Sequence, residues 1–354
     1  MKILHAADLH LGASFTGRSE AAVKTLKKAL STLPEQLVAL CKQHDCDLLL
    51  LAGDLFHGNA PVESVQLLQN ALKEVAIPTF ISPGNHDFCS PASPWLTEVW
   101  PENVHIFTKP MVESVALPAL DCRIYGAGFT SMDCPALLTN FRAEGAETYH
   151  IAVLHGDPLQ KNAPYNPITQ AQVAASGLQY MALGHLHTRG CYTAGQTLCA
   201  WPGCAMGQGN DETGEKGVYL VTVEETVHAE FIPLDAPRFY DLEAEVFTTP
   251  TDAVRSLLPP VGSEDFYRVT LIGEAEPFDA STLQFADFPN LELRDRTVVP
   301  ADLWGCIQQD NLEGVFFHIL HDELENADEE TAARLTLAAK LTRRILDGLE
   351  VALP

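Results

Sequence analysis

Residues 48–57 read LLLLAGDLFH, and no other stretch limits the fold of this chain as tightly. Four consecutive leucines leave no polar face, so the segment reads as a strand covered on both sides, as in a sheet enclosed between other layers. The run then ends on Asp54, with His57 three residues later. A buried carboxylate without a partner costs several kcal/mol or gives up its charge. Positive charge is therefore expected where this strand ends.

Apolar runs and amphipathic stretches alternate along the first two thirds of the chain. KILHAAD, DLLLLAGD, IPTFISPGN, RIYGAGF, YHIAVLHGD and YMALGHLH read as strands. Residues 20–44 and SVQLLQNALKEV read as helices, and 197–203 and 217–233 as paired strands. The pattern predicts an α/β sandwich of mixed β-sheets with helices outside. A boundary is expected near 236–246, dividing the chain into a domain at 1–235, a small α+β cap domain at 236–300 and a helical segment at 301–354. The cap is expected to hold a helix near 251–258 and strands near 266–273 and 291–299. Two helices, at 311–325 and 327–350, are expected to follow. On the last, Leu335, Ala338, Thr342, Ile345 and Leu349 recur at spacings of three and four. That stripe serves packing on its own domain or docking onto a partner.

Composition narrows the function. With 354 residues the chain has room for two domains and a large core. A net charge of −25 argues against a broad basic surface for nucleic acid. The acid is concentrated late: 23 acidic and 9 basic residues follow position 235, against 24 and 13 before it. No run approaches ~18 apolar residues, so neither a membrane span nor a secretory signal is expected. Nine cysteines without a repeating spacing fit free thiols in a reducing cytoplasm.

Five short motifs stand where predicted strands end: DLHLG (8–12), GDLFH (53–57), GNHD (84–87), LHGD (154–157) and GHLH (184–187). Carboxyl ends of strands are where α/β sheets gather ligand groups. The Asp-x-His spacing of Asp8 and His10 predicts two donors on one side of an extended segment, and His185 and His187 repeat it. Together the motifs supply Asp8, His10, Asp54, Asn85, His155, His185 and His187, all oxygen or imidazole donors. Such a set suits Mn, Fe or Zn and disfavours an all-oxygen calcium site. Seven donors exceed the needs of one tetrahedral ion and divide between two ions, with Asp54 as the natural bridge. Two divalent ions ~3.5–4 Å apart can activate a bridging water and clamp phosphoryl oxygens. Cys191, Cys199 and Cys204 follow GHLH but match no zinc spacing. GEKG at 214–217 lacks the frame of a phosphate loop.

The five motifs, in this order, resemble those of the calcineurin-like metallophosphoesterases. DLHLG and GDLFH resemble the DNA repair nuclease branch with its SbcD-type subunits. WPGCAMGQGNDETGEKGVYLVTV (201–223) is similar to a segment of the YhaO-like DNA repair exonucleases. The resemblance covers about 1–235 and implies a four-layer metallophosphoesterase sandwich. It implies one divalent ion, Mn first and Fe, Zn or Mg as alternatives, on Asp8, His10, Asp54 and His187, and a second on Asp54, Asn85, His155 and His185. It makes His86 the non-ligand catalytic group, a role suited to imidazole, which exchanges protons near neutral pH. His57 would be a catalytic-site histidine that either stands behind the metal ligands or faces the substrate. Where relatives carry Pro-Gly-Ser or Pro-Gly-Asn, this chain has Pro202-Gly203-Cys204, and basic residues expected nearby are Gln208 and Gly209.

The leading expectation is a two-metal DNA exonuclease in DNA repair, with DNA as substrate and a coiled-coil SbcC-like ATPase as partner. No membrane is expected as a partner, and the branch commonly forms homodimers. The alternative within catalysis is a phosphodiesterase acting on a small nucleotide or other non-polymer ester, which the acidic balance favours. A third reading is a structural or interaction subunit with vestigial chemistry, opposed by the retention of all seven donors and His86.

Overall fold

The leucine run forms the strand its composition demands. The computed structural model describes residues 1–246, 249–299 and 302–348. In it Leu48–Leu51 is a strand with every side chain buried. The two-residue period of the strand sorts its leucines. Leu48 and Leu50 enter one core and Leu49 and Leu51 another.

The chain forms two compact units. The first comprises Met1–Asp241, Gly262–Arg268 and Ala286–Glu292. Its strands, in chain order, are β1 (Lys2–Ala6), β2 (Leu48–Leu51), β3 (Thr79–Ile81), β4 (Val104–Ile106), β5 (Glu113–Leu117) and β6 (Cys122–Gly126). These are followed by β7 (Tyr149–His155), β8 (Tyr180–Gly184), β9 (Gly190–Ala194), β10 (Thr197–Trp201), β11 (Gly217–Val223) and β12 (Val227–Pro233). They make two six-stranded sheets, ordered β12-β11-β1-β2-β3-β4 and β5-β6-β7-β8-β10-β9. Strands β1 to β4 run parallel, as do β6, β7 and β8, while β11 and β12 pair antiparallel within 217–233. The 197–203 segment, read with them as paired strands, instead gives β10 in the second sheet, between β8 and β9. Strands β4, β5 and β9 are short and only partly buried, and their sequences show no clear alternation.

Three cores account for four layers. Between the sheets lie Ile3, Leu48, Leu50, Ile124, Ile151, Val153, Ala182 and Val221. Helices α1 (Glu20–Gln43) and α2 (Val62–Val75) cover the outer face of the first sheet. There Leu26, Leu33, Leu37, Leu68 and Leu72 meet Leu4, Leu49 and Leu51. Helix α3 (Pro94–Thr97) is a single turn, and α4 (Gln170–Ala175) brings Val173 onto Leu154, Met181 and Leu183 of the second sheet. The α/β sandwich expected from the alternation is present.

The second unit comprises Leu242–Val261, Val269–Phe285 and Leu293–Pro354. It includes helices α5 (Pro250–Leu257), α6 (Leu312–Leu324) and α7 (Glu329–Leu346). A three-stranded sheet is formed by β13 (Phe239–Glu245), β14 (Phe266–Ile272) and β15 (Leu291–Asp295) in that order. Helices α6 and α7 start on Asn311 and Asp328, each accepting from a backbone N–H three residues on, at 2.8 Å. Phe317, Ala339, Leu303 and Cys306 form their shared core. Within the stripe expected on the last helix, Ile345 is exposed, and Leu349 lies outside the described residues. Among the described residues no helix is long and apolar enough to cross a membrane.

Candidate metal centre

The five motifs meet at the carboxyl ends of β1, β2 and β3 in one sheet and β7 and β8 in the other. Asp8, His10, Asp54, Asn85 and His155 are buried, whereas His185 and His187 are only partly so. The extended Asp-x-His geometry expected from spacing is not what forms. β1 ends at Ala6, and Asp8 and His10 take left-handed backbone, at φ 52° and 48°. Asp54 (φ 50°) and His185 (φ 106°) do the same. Non-glycine residues adopt this conformation at a cost of about 1–3 kcal/mol each, and such strain gathers at functional sites.

Neighbouring loops hold these turns in place. The Asp8 N–H donates to Gly53 O at 3.0 Å, His10 N–H to Asp54 O at 2.9 Å and Leu11 N–H to Leu55 O at 2.8 Å. Both Asp8 carboxylate oxygens accept from the His185 N–H, at 3.1 and 3.0 Å, tying the two sheets together. Asp54 Oδ1 accepts from His86 N–H at 2.8 Å. Asp87 braces the frame by accepting from the N–H groups of Leu55 at 2.8 Å and Gly84 at 2.7 Å. Gly84 has no room for a side chain, since a Cβ there would collide with Asp54 Oδ1.

Among the described residues, two of the groups whose ligand atoms lie within 4.8 Å of one another consist only of expected donors, Asp8, His10 and His187, and Asp8, Asp54 and His155; His10, His57 and His86 make another. Asn85 Oδ1 joins the second, 2.9 Å from His155 Nε2. His185 stands at its edge, its ring centred 5.3 Å from that of His155 and 4.9 Å from that of Tyr165. Outside the donors, His86 stacks on the exposed His57 at 5.3 Å and meets the edge of His10 at 5.1 Å.

The hydrogen bonds make the case for cations. His155 Nδ1 faces Ala52 O at 2.9 Å, and Nε2 faces the Asn85 oxygen at 2.9 Å and Asp54 Oδ2 at 3.5 Å. Only an imidazolium could donate to both sides, yet burial lowers the pKa of His155, with Asp54 opposing. His10 Nε2 and His187 Nε2 face each other at 3.1 Å. Burial pushes His10 down to about 3 and His185 down to about 4, which keeps their lone pairs free. Burial and the neighbouring Asp54 raise Asp8 well above the usual carboxylate range. Burial also drives Asp54 upward, against His155, His10 and His86, which draw it below its usual value when they carry protons, so the carboxylate and the imidazoles contend for the same positive charge. Acceptor facing acceptor, around two carboxylates, is an arrangement that divalent ions complete.

One partner escaped sequence reasoning. Glu212 pairs with His187 Nδ1, and its Oε2 accepts from Gln208 N–H at 2.7 Å. A single glutamate in a loop 25 residues after its histidine carries no local signal. Cys204 is buried beside it, its Sγ 3.8 Å from Glu212 Oε2, and all nine cysteines are free.

Residues 1–189 match the calcineurin-like phosphoesterase family. The chain belongs to that family, and the histidine and aspartate groups gathered at its strand ends are of a kind that could hold metal ions. It is 32% identical over 236 residues to the uncharacterized metallophosphoesterase YhaO of Bacillus subtilis, covering 63% of this chain and 57% of that one. It is 28% identical over 263 residues to the SbcD subunit of the nuclease SbcCD of the same organism, covering 62% of this chain and 66% of that one. The chain thus spans less than two thirds of the length of either relative. A dimetal phosphatase from Danio rerio is similar at 10% identity and a TM-score of 0.43, over 65% of this chain and 95% of that one.

Proposed function

We propose that this protein is a two-metal DNA exonuclease of DNA repair, acting as the nuclease subunit beside a coiled-coil SbcC-like ATPase. One observation carries the reading: the stacked pair His57 and His86 forms a partly exposed rim beside buried donors. A rim open to solvent can receive the end of a polymer, whereas a sealed pocket would select a small ester. The 28% identity to a nuclease subunit supports the same choice.

In this reading Asp8, His10, Asp54 and His187 hold one ion, and Asp54, Asn85, His155 and His185 the other. Asp54, 3.5 Å from His155 Nε2, would be shared between them, and Asp8 stands in both groups of donors. Manganese is the proposed metal. The ions, when bound, supply Lewis acidity toward the phosphoryl oxygens and an activated water. His86, anchored through its N–H to Asp54, offers a proton to the leaving oxygen. His57 stacks behind it and fixes its plane.

Partner docking is proposed for α6. Leu312, Val315, Phe316 and Ile319 recur at the spacing of one helical face, and all four are exposed. An ATPase partner would also supply the cationic surface that a chain of net charge −25 lacks. That same charge favours a second reading, a phosphodiesterase acting on small esters.

The test is degradation of end-labelled linear DNA by purified protein with manganese, alone and with the candidate ATPase, beside hydrolysis of bis-p-nitrophenyl phosphate. Progressive loss of one labelled end is expected. Turnover of the small ester with DNA left at full length under every condition would transfer the function to the second reading.

A further inference from the structure

We propose that Glu212 is a positioning residue that fixes the imidazole of His187 in the tautomer presenting Nε2 to a metal ion. The inference rests on the reading of His187 as a ligand and adds a role for the DETGEKG segment (211–217), which the site otherwise leaves without one.

An imidazole can bind a cation through one nitrogen only when its proton sits on the other. At His187 the choice is made by the protein. Nδ1 meets the Glu212 carboxylate, a pure acceptor, so the proton belongs there. Nε2 is left with its lone pair directed at the cluster, 3.1 Å from His10 Nε2. The carboxylate is itself fixed, since its second oxygen accepts from Gln208 N–H at 2.7 Å. The same segment and the loop before it grip the backbone of His187. Lys216 Nζ donates to His187 O at 3.2 Å, and Cys204 N–H donates to it at 3.3 Å. Carboxylates behind metal-bound histidines orient the ring and raise its basicity, and their loss typically weakens metal binding by about 10–100-fold.

A competing assignment uses the same atoms, because His187, Cys204 and Glu212 are close enough to hold an ion of their own. It would need Nδ1 of His187 stripped of its proton and the Cys204 thiol ionised. Burial, with Glu212 beside it, pushes that thiol up.

The experiment combines metal counting with a readout that needs no metal. Metal-free wild type, E212A and E212Q are titrated with manganese, and ¹⁵N-histidine spectra report which nitrogen of His187 carries the proton. Wild type is expected to take up two ions and to hold the Nδ1–H form. E212A should lose about 10–100-fold in affinity at one ion alone and shift its His187 proton toward Nε2. E212Q keeps an acceptor and should recover most of both. If E212A does not fold, E212D, which draws the carboxylate back by one methylene, is read by the same two measurements. Two unaltered manganese affinities and an unaltered tautomer in E212A would overturn the proposal while leaving the metal reading intact. A wild type that binds no manganese would overturn both. A third equivalent of metal, lost in both E212A and C204A, would replace positioning by ligation.

Discussion

Asp54 and His86 are joined by one hydrogen bond of 2.8 Å but have separate tasks. Asp54 belongs to one of the two groups of donors and is proposed as the carboxylate both ions share, so Asp54→Ala removes a charge on which both would depend. Metal analysis should find little manganese left. His86 holds Asp54 through its backbone N–H, which survives truncation. His86→Ala is therefore expected to retain two ions per chain and to lose about 10²–10⁴-fold in turnover, the usual reach of general acid catalysis. Unchanged turnover would remove His86 from the mechanism. Away from the cluster, His5 is held between the Tyr180 hydroxyl at 2.7 Å and Leu183 O at 3.0 Å. Its Nε2–H donates to the carbonyl and its Nδ1 accepts from the hydroxyl, so the neutral ring is fully satisfied. Burial lowers its pKa to about 3 from an ordinary 6.5, the Leu183 carbonyl opposing. In this window the unfolded chain binds the extra proton. The contribution of His5 is complete above pH 6.5 and falls by up to about 1.4 kcal/mol per unit as the pH drops toward 3. In chelator, the urea midpoint of His5→Gln should fall less between pH 7 and 5 than that of wild type.

The informative elements are the loops after β1, β2, β3 and β8. Their positions were legible, because each apolar run ends on a motif rich in Asp and His. Their conformation was not. Periodicity describes extended segments, whereas Asp8, His10, Asp54 and His185 are held in left-handed backbone by contacts from other loops. The leucine run was readable because full burial of a strand leaves a continuous apolar signature. Strands β4, β5 and β9 left no such trace, being only partly buried. Gly53 shows how tightly the loop after β2 is built. It sits at φ 88°, and a Cβ there would run into His155 Nδ1 and come within 2.8 Å of Ser82 O. Gly53→Ala should cost about 1–3 kcal/mol from backbone strain alone, seen in urea unfolding, and should weaken manganese binding by displacing His155. A variant with wild-type stability and metal affinity would show that the loop yields more easily than its packing implies.

At the scale of the molecule the two sheets are tied through one site, with β1, β2 and β3 supplying donors from one side and β7 and β8 from the other. Ions bound there should join the halves and stabilise the folded chain. At a free manganese concentration 100 times its dissociation constant, each site adds about 2.7 kcal/mol. A chelator is therefore expected to lower the melting temperature in thermal scans, and excess manganese to restore it. Equal melting in both conditions would argue that the donors hold no metal. By itself the sequence determined the layered α/β architecture and pointed to the strand ends and to the seven proposed donors, because burial and residue chemistry are written locally. Only the tertiary structure decided which donors face one another, that His155 has acceptors on both sides, and that Glu212 stands behind His187. Those relations join residues up to 177 positions apart, as in the bond from His185 N–H to Asp8, and no local pattern of side chains encodes a contact made by folding alone.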